Sequence, residues 1–151
     1  MTPWASMRCV DVNVLLYAHR ADLPEHRSYR RLLQEWANDD EPLGLADAVL
    51  AGFLRVITNR RIFVEPTPPA AAWQQIDNLL GARASIALHP GERHWEHFTR
   101  LAQRIDAKGN DISDTYVAAF AVDNNATFLS ADRGFARFPD LRWSHPLDPH
   151  P

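Results

Sequence analysis

Short apolar segments alternate with amphipathic segments along almost the whole chain, and this alternation restricts the fold more than any other feature. The candidate strands lie at residues 8–12, 43–45, 85–88 and 127–130, and residues 141–144 form a fifth candidate. Between them, apolar residues recur at helical spacing, with charged residues on the opposite side. This pattern predicts an α/β fold, a three-layer α/β/α sandwich around a mainly parallel sheet of four to five strands.

Six segments between the strands are predicted to be helical. They are residues 13–19, 25–38, 46–59, 66–80, 92–105 and 113–124. A group of prolines opens the fourth helix, because proline suits a first helical turn. Asp47 and Ser113 are candidate N-caps of the third and sixth helices, since their side chains can accept a hydrogen bond from a free backbone N–H.

Length and composition predict one compact domain. With 151 residues, of which 46% are hydrophobic, the chain can bury a single core. We expect residues 7–145 to form this domain, residues 1–6 to lie outside the core, and residues 146–151 to form a loose tail. No apolar run approaches the roughly 18 residues of a membrane span, and the start lacks the features of a secretory signal. A cytoplasmic protein without membrane contact is therefore expected.

The charge and cysteine content exclude some classes of protein. The formal net charge of −3 does not favour a general nucleic-acid coat, because nonspecific phosphate binding usually needs a basic surface. A nuclease stays open, since carboxylates can hold cations beside local arginines, although an ordinary surface explains each arginine equally well. These arginines are Arg55, Arg60, Arg61, Arg133 and Arg137. Cys9 is the only cysteine, which excludes an intrachain disulfide, and its apolar neighbours predict a buried side chain.

Three aspartates fall near the ends of predicted strands. Asp11 closes the first strand, Asp132 follows the fourth, and Asp114 begins the helix that leads into the fourth. The carboxyl ends of parallel strands meet at one edge of a sheet, so these side chains could converge. Mg²⁺ prefers oxygen ligands and needs only one or two carboxylates together with water and phosphate. Taken singly, each aspartate is equally consistent with a helix cap or a first-turn acid.

Two polar neighbours could support these aspartates. Asn13 could orient Asp11 or touch a water, although an Asx turn at the start of a helix explains it as well. Ser113 precedes Asp114, and a cap at that position would hold Asp114 in place.

Four short motifs occur in a fixed order along the chain. Residues 11–18 are DVNVLLYA, residues 49–55 are VLAGFLR, residues 109–114 are GNDISD and residues 131–135 are ADRGF, followed by FPDLRW at 138–143. Each motif alone is weak, because D-x-N occurs often by chance. In this order and spacing they resemble the PIN-domain family, in particular its VapC toxins, and the match spans nearly the whole chain.

The resemblance implies an α/β/α sandwich that cleaves RNA endonucleolytically with Mg²⁺, or with Mn²⁺ in its place. It also implies a homodimer and inhibition by a VapB-type antitoxin that covers the site. By position, Asp11, Asp114 and Asp132 take the family's catalytic and metal-binding roles.

Two glycines depart from the family pattern. Gly52 stands where many members carry a glutamate, and Gly134 stands where many carry another aspartate. Asp111 is a candidate replacement, because it shares a face with Asp114 if the last helix begins early. We therefore expect one well-held metal at Asp11 and Asp114, and a weaker second ion recruited by RNA.

Two other functions remain open at the level of sequence. A degenerate module that binds RNA or an antitoxin without cleavage fits the two glycines. A haloacid-dehalogenase-like phosphotransferase fits a nucleophilic aspartate after the first strand, but it requires a second carboxylate where Asn13 stands. Cleavage abolished by Asp11→Asn favours the nuclease, whereas an acyl-phosphate trapped on Asp11 favours the phosphotransferase.

Two groups of residues have ordinary structural explanations. His94 and His97 are closer in sequence than the histidines of zinc-binding HExxH helices, so we expect surface residues. Three tryptophans are expected in the core or a dimer interface rather than stacked on RNA. They are Trp73, Trp95 and Trp143.

Overall fold

A parallel β-sheet forms the central layer of the protein. The computed structural model describes residues 6–149. Within these residues the strands are β1 (Arg8–Val10), β2 (Leu43–Ala46), β3 (Ser85–Leu88), β4 (Thr127–Leu129) and β5 (Trp143–Ser144). They form one five-stranded sheet in the order β3-β2-β1-β4-β5, and every neighbouring pair is parallel. The fifth predicted strand is therefore present.

Helices connect the strands and cover the sheet. Within residues 6–149 they are α1 (Val12–His19), α2 (His26–Ala37), α3 (Asp47–Ile57), α4 (Pro69–Leu80), α5 (His94–Arg104) and α6 (Asn110–Asp123), with a 3₁₀ helix at Arg133–Arg137. Helices α1 to α4 form one packed group, and α5 packs on α6. Because parallel crossovers are right-handed, the reversal of strand order after β3 places these groups on opposite faces. The predicted α/β/α sandwich is confirmed.

Close packing in the middle of the sheet depends on one glycine. A Cβ at Gly44 in β2 would lie 2.8 Å from Leu88 Cδ1 and 3.0 Å from Cys9 Sγ. Cys9 is buried as predicted, and burial raises the pKa of its thiol to about 12. Strand β1 pairs with β4 on its other side, with Val10 opposite Leu129. The carboxyl ends of β1 and β4 therefore lie side by side.

Helix α6 begins earlier than the predicted residue 113. Gly109 occupies its cap position with φ +59°, a left-handed conformation that glycine adopts easily. Ser113 is exposed inside the helix, so the prediction that Ser113 is an N-cap is wrong. Asp47 is also not a cap, because Ala46 holds that position in α3 without a side-chain hydrogen bond.

The described ends of the chain contact the domain. The Ser6 hydroxyl donates a hydrogen bond to Glu41. Pro146 is buried, and Arg133 forms an ion pair with Asp148 at 3.2 Å. Residues 1–5 and 150–151 of the predicted extension and tail lie outside the described residues, so these domain boundaries stay predictions. No helix within residues 6–149 combines the length and apolar character needed to cross a membrane.

Candidate active site

Asp11 lies at the junction between β1 and α1. Its backbone N–H donates to the Leu129 carbonyl at 3.0 Å, which extends the pairing of β1 with β4. Its Oδ1 caps α1 by accepting from the Val12 N–H at 2.8 Å. The cap fixes the carboxylate at the edge of the sheet, so a capping role and a site role are compatible.

Ser130 connects three predicted site residues through one hydroxyl group. Its side chain is fully buried directly after β4. The hydroxyl donates to Asp11 Oδ2 at 2.7 Å, and it accepts from Asn13 Nδ2 at 3.0 Å and from the Asp132 N–H at 3.1 Å. These contacts use its one donor and both acceptor positions. Sequence reasoning missed Ser130, although a polar residue at the buried end of an apolar strand is a usable signal.

Asn13 joins the start of α1 to the segment after β4. Its Oδ1 accepts from the Ala131 N–H at 3.1 Å. Its Nδ2 donates to Ser130 Oγ at 3.0 Å and lies 3.5 Å from Asp11 Oδ2. Asn13 therefore lies beside Asp11 and acts on it mainly through Ser130.

Asp132 caps the 3₁₀ helix that follows β4. Its Oδ1 accepts from the Gly134 N–H at 2.8 Å. The residue is exposed, and the cap engages one of its two carboxylate oxygens. Asp132 is thus brought to the same edge as Asp11, with a carboxylate open to solvent.

Asp111 and Asp114 lie one turn apart at the start of α6 and share one arginine. Arg137 Nη2 donates to Asp111 Oδ1 at 3.1 Å and to Asp114 Oδ2 at 3.0 Å. The early start of α6 meets the condition under which Asp111 shares a face with Asp114. Arg137, which the sequence marked only as local positive charge, contacts two candidate ligands.

Burial and nearby negative charges both act on the carboxyl group of Asp11. Burial raises the pKa of the Asp11 carboxyl, and the negative charges of Asp114 and Asp132 raise this pKa further. Hydrogen bonds from Ser130 and Val12 oppose the shift. Ser130 contacts both Asp11 and the Asp132 N–H, and Arg137 contacts both Asp114 and the Gly134 carbonyl, so contacts connect the three aspartates in one cluster.

The cluster offers oxygen ligands to a divalent cation, but it is not a closed metal cage. Among residues 6–149, no three His, Cys, Asp or Glu side chains are arranged to hold one metal ion together. Mg²⁺ keeps several waters and needs only one or two carboxylates. Asp11 and Asp132 place carboxylate oxygens at the same edge of the sheet, which fits the chemistry of a hydrated magnesium ion, while Arg137 contacts one oxygen of Asp114.

Both glycines that depart from the family pattern adjoin this cluster. A Cβ at Gly52 in α3 would lie 3.0 Å from Cγ2 of Val12, the first residue of α1. A Cβ at Gly134 would lie 2.9 Å from Asp132 Oδ1 and 3.1 Å from Arg137 Nη1. A side chain at either position would therefore contact residues in or next to the cluster.

The two histidines of α5 have protein partners. His94 is 2% exposed, and its Nε2 lies 3.0 Å from the Tyr116 carbonyl, so the expectation of a surface residue is wrong. His97 lies 3.6 Å from Asp123. The packing of α5 on α6 buries His94, and this contact between helices is not visible in the pattern of α5 alone.

The three tryptophans have different environments. Trp73 is 60% exposed and Trp95 is 65% exposed, so neither belongs to the core, and a dimer interface stays a prediction for both. Trp143 in β5 is partly buried, and its Nε1 donates to the Ser130 carbonyl at 3.1 Å. Trp143 therefore supports the segment that carries Ser130 and Asp132.

Comparison with known proteins identifies the family. The PIN domain family model matches residues 8–141, which contain every residue of the cluster. The chain belongs to the PIN-domain family. This PIN domain is 68% identical over 142 residues to a VapC ribonuclease of Mycobacterium bovis and to ribonuclease VapC43 of Mycobacterium tuberculosis, with 94% of this chain and 97% of each relative covered. Ribonuclease VapC31 of Mycobacterium tuberculosis is 39% identical over 140 residues, covering 93% of this chain and 99% of the relative.

Solved structures share the fold at low sequence identity. The PIN domain matches VapBC2 from Rickettsia felis, bound to a DNA fragment from its promoter, with a TM-score of 0.70 and 17% identity over 92% of this chain and 98% of that chain. It matches the Sarcin-Ricin loop cleaving toxin VapC20 of Mycobacterium tuberculosis with a TM-score of 0.62 and 17% identity, covering 89% of this chain and 98% of that chain. The family assignment favours the nuclease hypothesis over the phosphotransferase.

Proposed function

We propose that this PIN domain is the ribonuclease toxin of a toxin–antitoxin pair, and that it hydrolyses RNA phosphodiester bonds with a divalent cation. The observation that carries the proposal is the set of contacts that links Asp11 to Asp132 through the Ser130 hydroxyl, and Asp114 to the Gly134 carbonyl through Arg137. The 68% identity to VapC ribonucleases, over 94% of the chain, supports the same activity.

The chain's own residues are arranged to present a carboxylate in a fixed position. A bound Mg²⁺ or Mn²⁺ would supply an activated water and offset the charge that develops at phosphorus. Asp11 is the best-held ligand, because Ser130 and Val12 contact its two oxygens at 2.7 and 2.8 Å. Asp114 and Asp132 would complete the site directly or through water, and a second, weaker ion would enter with the RNA. Ligands held in advance need little reorganisation during the reaction.

The supporting residues have unequal roles in this proposal. Asn13 positions Asp11 through Ser130, and Asp111 holds Arg137. Ser113 is exposed within α6 and does not cap it, and the proposal assigns it no contact with the other site residues.

We also propose a VapB-type antitoxin, an RNA substrate and a second copy of the chain as partners. The structural relatives from Rickettsia felis and Haemophilus influenzae are VapBC complexes. The exposed side chains of Trp73 and Trp95 are large apolar surfaces that a partner can cover. A cytoplasmic location stays a prediction.

Cleavage of a mixed RNA pool by the purified chain tests the proposal. We expect cleavage in Mg²⁺ or Mn²⁺ and none in EDTA, with the cut ends mapped by sequencing. Asp11→Asn and Asp114→Asn should each reduce cleavage by about 100-fold or more. Asp77→Asn is the matched control, because Asp77 is an exposed aspartate of α4 outside the cluster, and it should cleave as the wild type does. Equal loss in all three variants would contradict the assignment of the site.

The second candidate is a degenerate PIN domain that binds RNA or an antitoxin without cutting. It is favoured by Gly52, by Gly134 and by the lack of a closed three-ligand group among residues 6–149. RNA binding by the wild type without cleavage in either metal would favour this candidate.

A further inference from the structure

Arg137 places a positive charge inside the carboxylate cluster. Its Nη2 lies 3.0 Å from Asp114 Oδ2 and 3.1 Å from Asp111 Oδ1, and its Nη1 donates to the Gly134 carbonyl. The guanidinium therefore forms a hydrogen bond with the Asp114 oxygen that, in the proposed function, would contact the cation or a water bound to it.

The remainder of the Arg137 side chain is held by other contacts. Its guanidinium carbon lies 4.6 Å from the centre of the Phe138 ring and 5.8 Å from that of Phe135. Within residues 6–149, Arg137 Nε is one of two buried side-chain polar atoms without a hydrogen-bond partner. A buried donor without a partner is costly and calls for an acceptor. Because protein atoms cover Nε in the free chain, an acceptor outside the protein can reach it only after the Arg137 side chain moves.

We propose that Arg137 binds the phosphate of the RNA at the cleavage site, and that Asp111 and Asp114 hold its guanidinium in the free chain. This inference rests on the proposed function. A divalent cation at Asp114 weakens the ion pair with Arg137, because two cations then compete for one carboxylate. The released Nη2 and the unpartnered Nε form a planar fork that matches two phosphate oxygens.

Gly134 makes room for this arrangement. A Cβ there would lie 3.1 Å from Arg137 Nη1 and 2.9 Å from Asp132 Oδ1, so a side chain would displace one of the two. The absence of a side chain at Gly134 therefore leaves room for the guanidinium beside Asp132.

Mn²⁺ binding to the full chain without RNA, followed by electron paramagnetic resonance, tests the competition. Arg137→Gln removes the competing charge, so we expect it to tighten Mn²⁺ binding about threefold or more. Arg83→Gln is the matched control, because Arg83 forms an exposed ion pair with Asp40 near the amino ends of β2 and β3. It should leave the Mn²⁺ affinity unchanged.

Binding of a short, labelled single-stranded RNA of random sequence, with Ca²⁺ in place of Mg²⁺, tests the phosphate contact. Arg137→Gln should weaken binding by about tenfold or more. It should also reduce the slope of log affinity against log salt by about 0.7, the contribution of one phosphate contact in a single strand. Arg83→Gln should change neither quantity. Tighter Mn²⁺ binding together with weaker RNA binding supports the proposal, since a general folding defect would weaken both.

An unchanged RNA affinity and salt slope in Arg137→Gln, with folding verified by thermal melting, would overturn the proposal. Weaker Mn²⁺ binding in this variant would also overturn it. Arg137→Lys retains the charge and should keep the wild-type slope, so a slope reduced by about 0.7 in this variant counts against the proposal even if Arg137→Gln does not fold. Failure of the proposed function gives a different result. In that case the wild type does not bind Mn²⁺, or Asp11→Asn binds Mn²⁺ as well as the wild type does.

Discussion

Replacement of Ser130 by alanine tests whether one buried hydroxyl organises the site. The change removes contacts of 2.7 Å to Asp11 Oδ2, 3.0 Å to Asn13 Nδ2 and 3.1 Å to the Asp132 N–H. A hydrogen bond to a charged group contributes about 1.5–3 kcal/mol and a neutral one about 1 kcal/mol. Because Asp11 and Asn13 are only partly buried, water can replace some of this loss. We expect the free energy of unfolding to fall by about 3 kcal/mol.

The same substitution should change the pKa of Asp11 in a definite direction. The Ser130 hydroxyl stabilises the ionised carboxylate and so opposes the rise in pKa that burial causes. Without the hydroxyl, the pKa of Asp11 rises further, and the ionised form that binds a cation persists only at higher pH. The acid limb of the pH profile for RNA cleavage should therefore move to higher pH.

Urea unfolding measures the stability change, and cleavage rates across a pH series measure the shift of the acid limb. Ser113→Ala is the matched control, because Ser113 is exposed on α6, and it should change stability by no more than about 0.5 kcal/mol. The reasoning is refuted if folded Ser130→Ala keeps the wild-type acid limb, or if the two substitutions destabilise the chain equally.

Four further changes have expected outcomes. Burial raises the pKa of Asp11, so the ionised Asp11 side chain lowers the stability of the fold above that pKa. Asp11→Asn should therefore unfold at a higher urea concentration than the wild type in neutral buffer, and this difference should vanish as the pH falls through the pKa. The same variant should lose about 100-fold or more of its cleavage activity. Gly52→Glu adds a carboxylate at a position where a Cβ would lie 3.0 Å from Val12 Cγ2. It should lower the Mg²⁺ concentration needed for cleavage by about tenfold. Gly52→Gln is the control and should not lower this concentration. Gly44→Ala introduces a contact of 2.8 Å in the core and should lower the free energy of unfolding by about 2 kcal/mol in urea; an unchanged value would show that β2 has room to move. Cys9, with a pKa of about 12, should resist thiol reagents in the folded chain and react in urea, and equal labelling rates would contradict its burial.

The sequence predicted which segments form strands and helices more accurately than it predicted the residues at which they begin and end. The strand at Ser85–Leu88 lies at the predicted residues, because a short apolar run between polar breaks reports burial directly. The start of α6 was missed, because the left-handed Gly109 redirects the chain before any capping side chain. The exposure of Trp73 was missed for a related reason, since the side of a helix that other elements leave uncovered depends on packing.

Sequence alone determined the order of strands and helices along the chain, and with it the placement of Asp11 and Asp132 at the carboxyl ends of two strands. Periodicity and strand ends are local properties, so they can be read from nearby residues. Only the tertiary structure decided how the side chains pair. Ser130 reaches Asp11 across 119 positions, and Arg137 reaches Asp114 across 23. Such contacts depend on β4 packing beside β1 and on α6 facing the 3₁₀ helix. The pattern of neighbouring residues in the sequence does not show which distant segments lie next to each other.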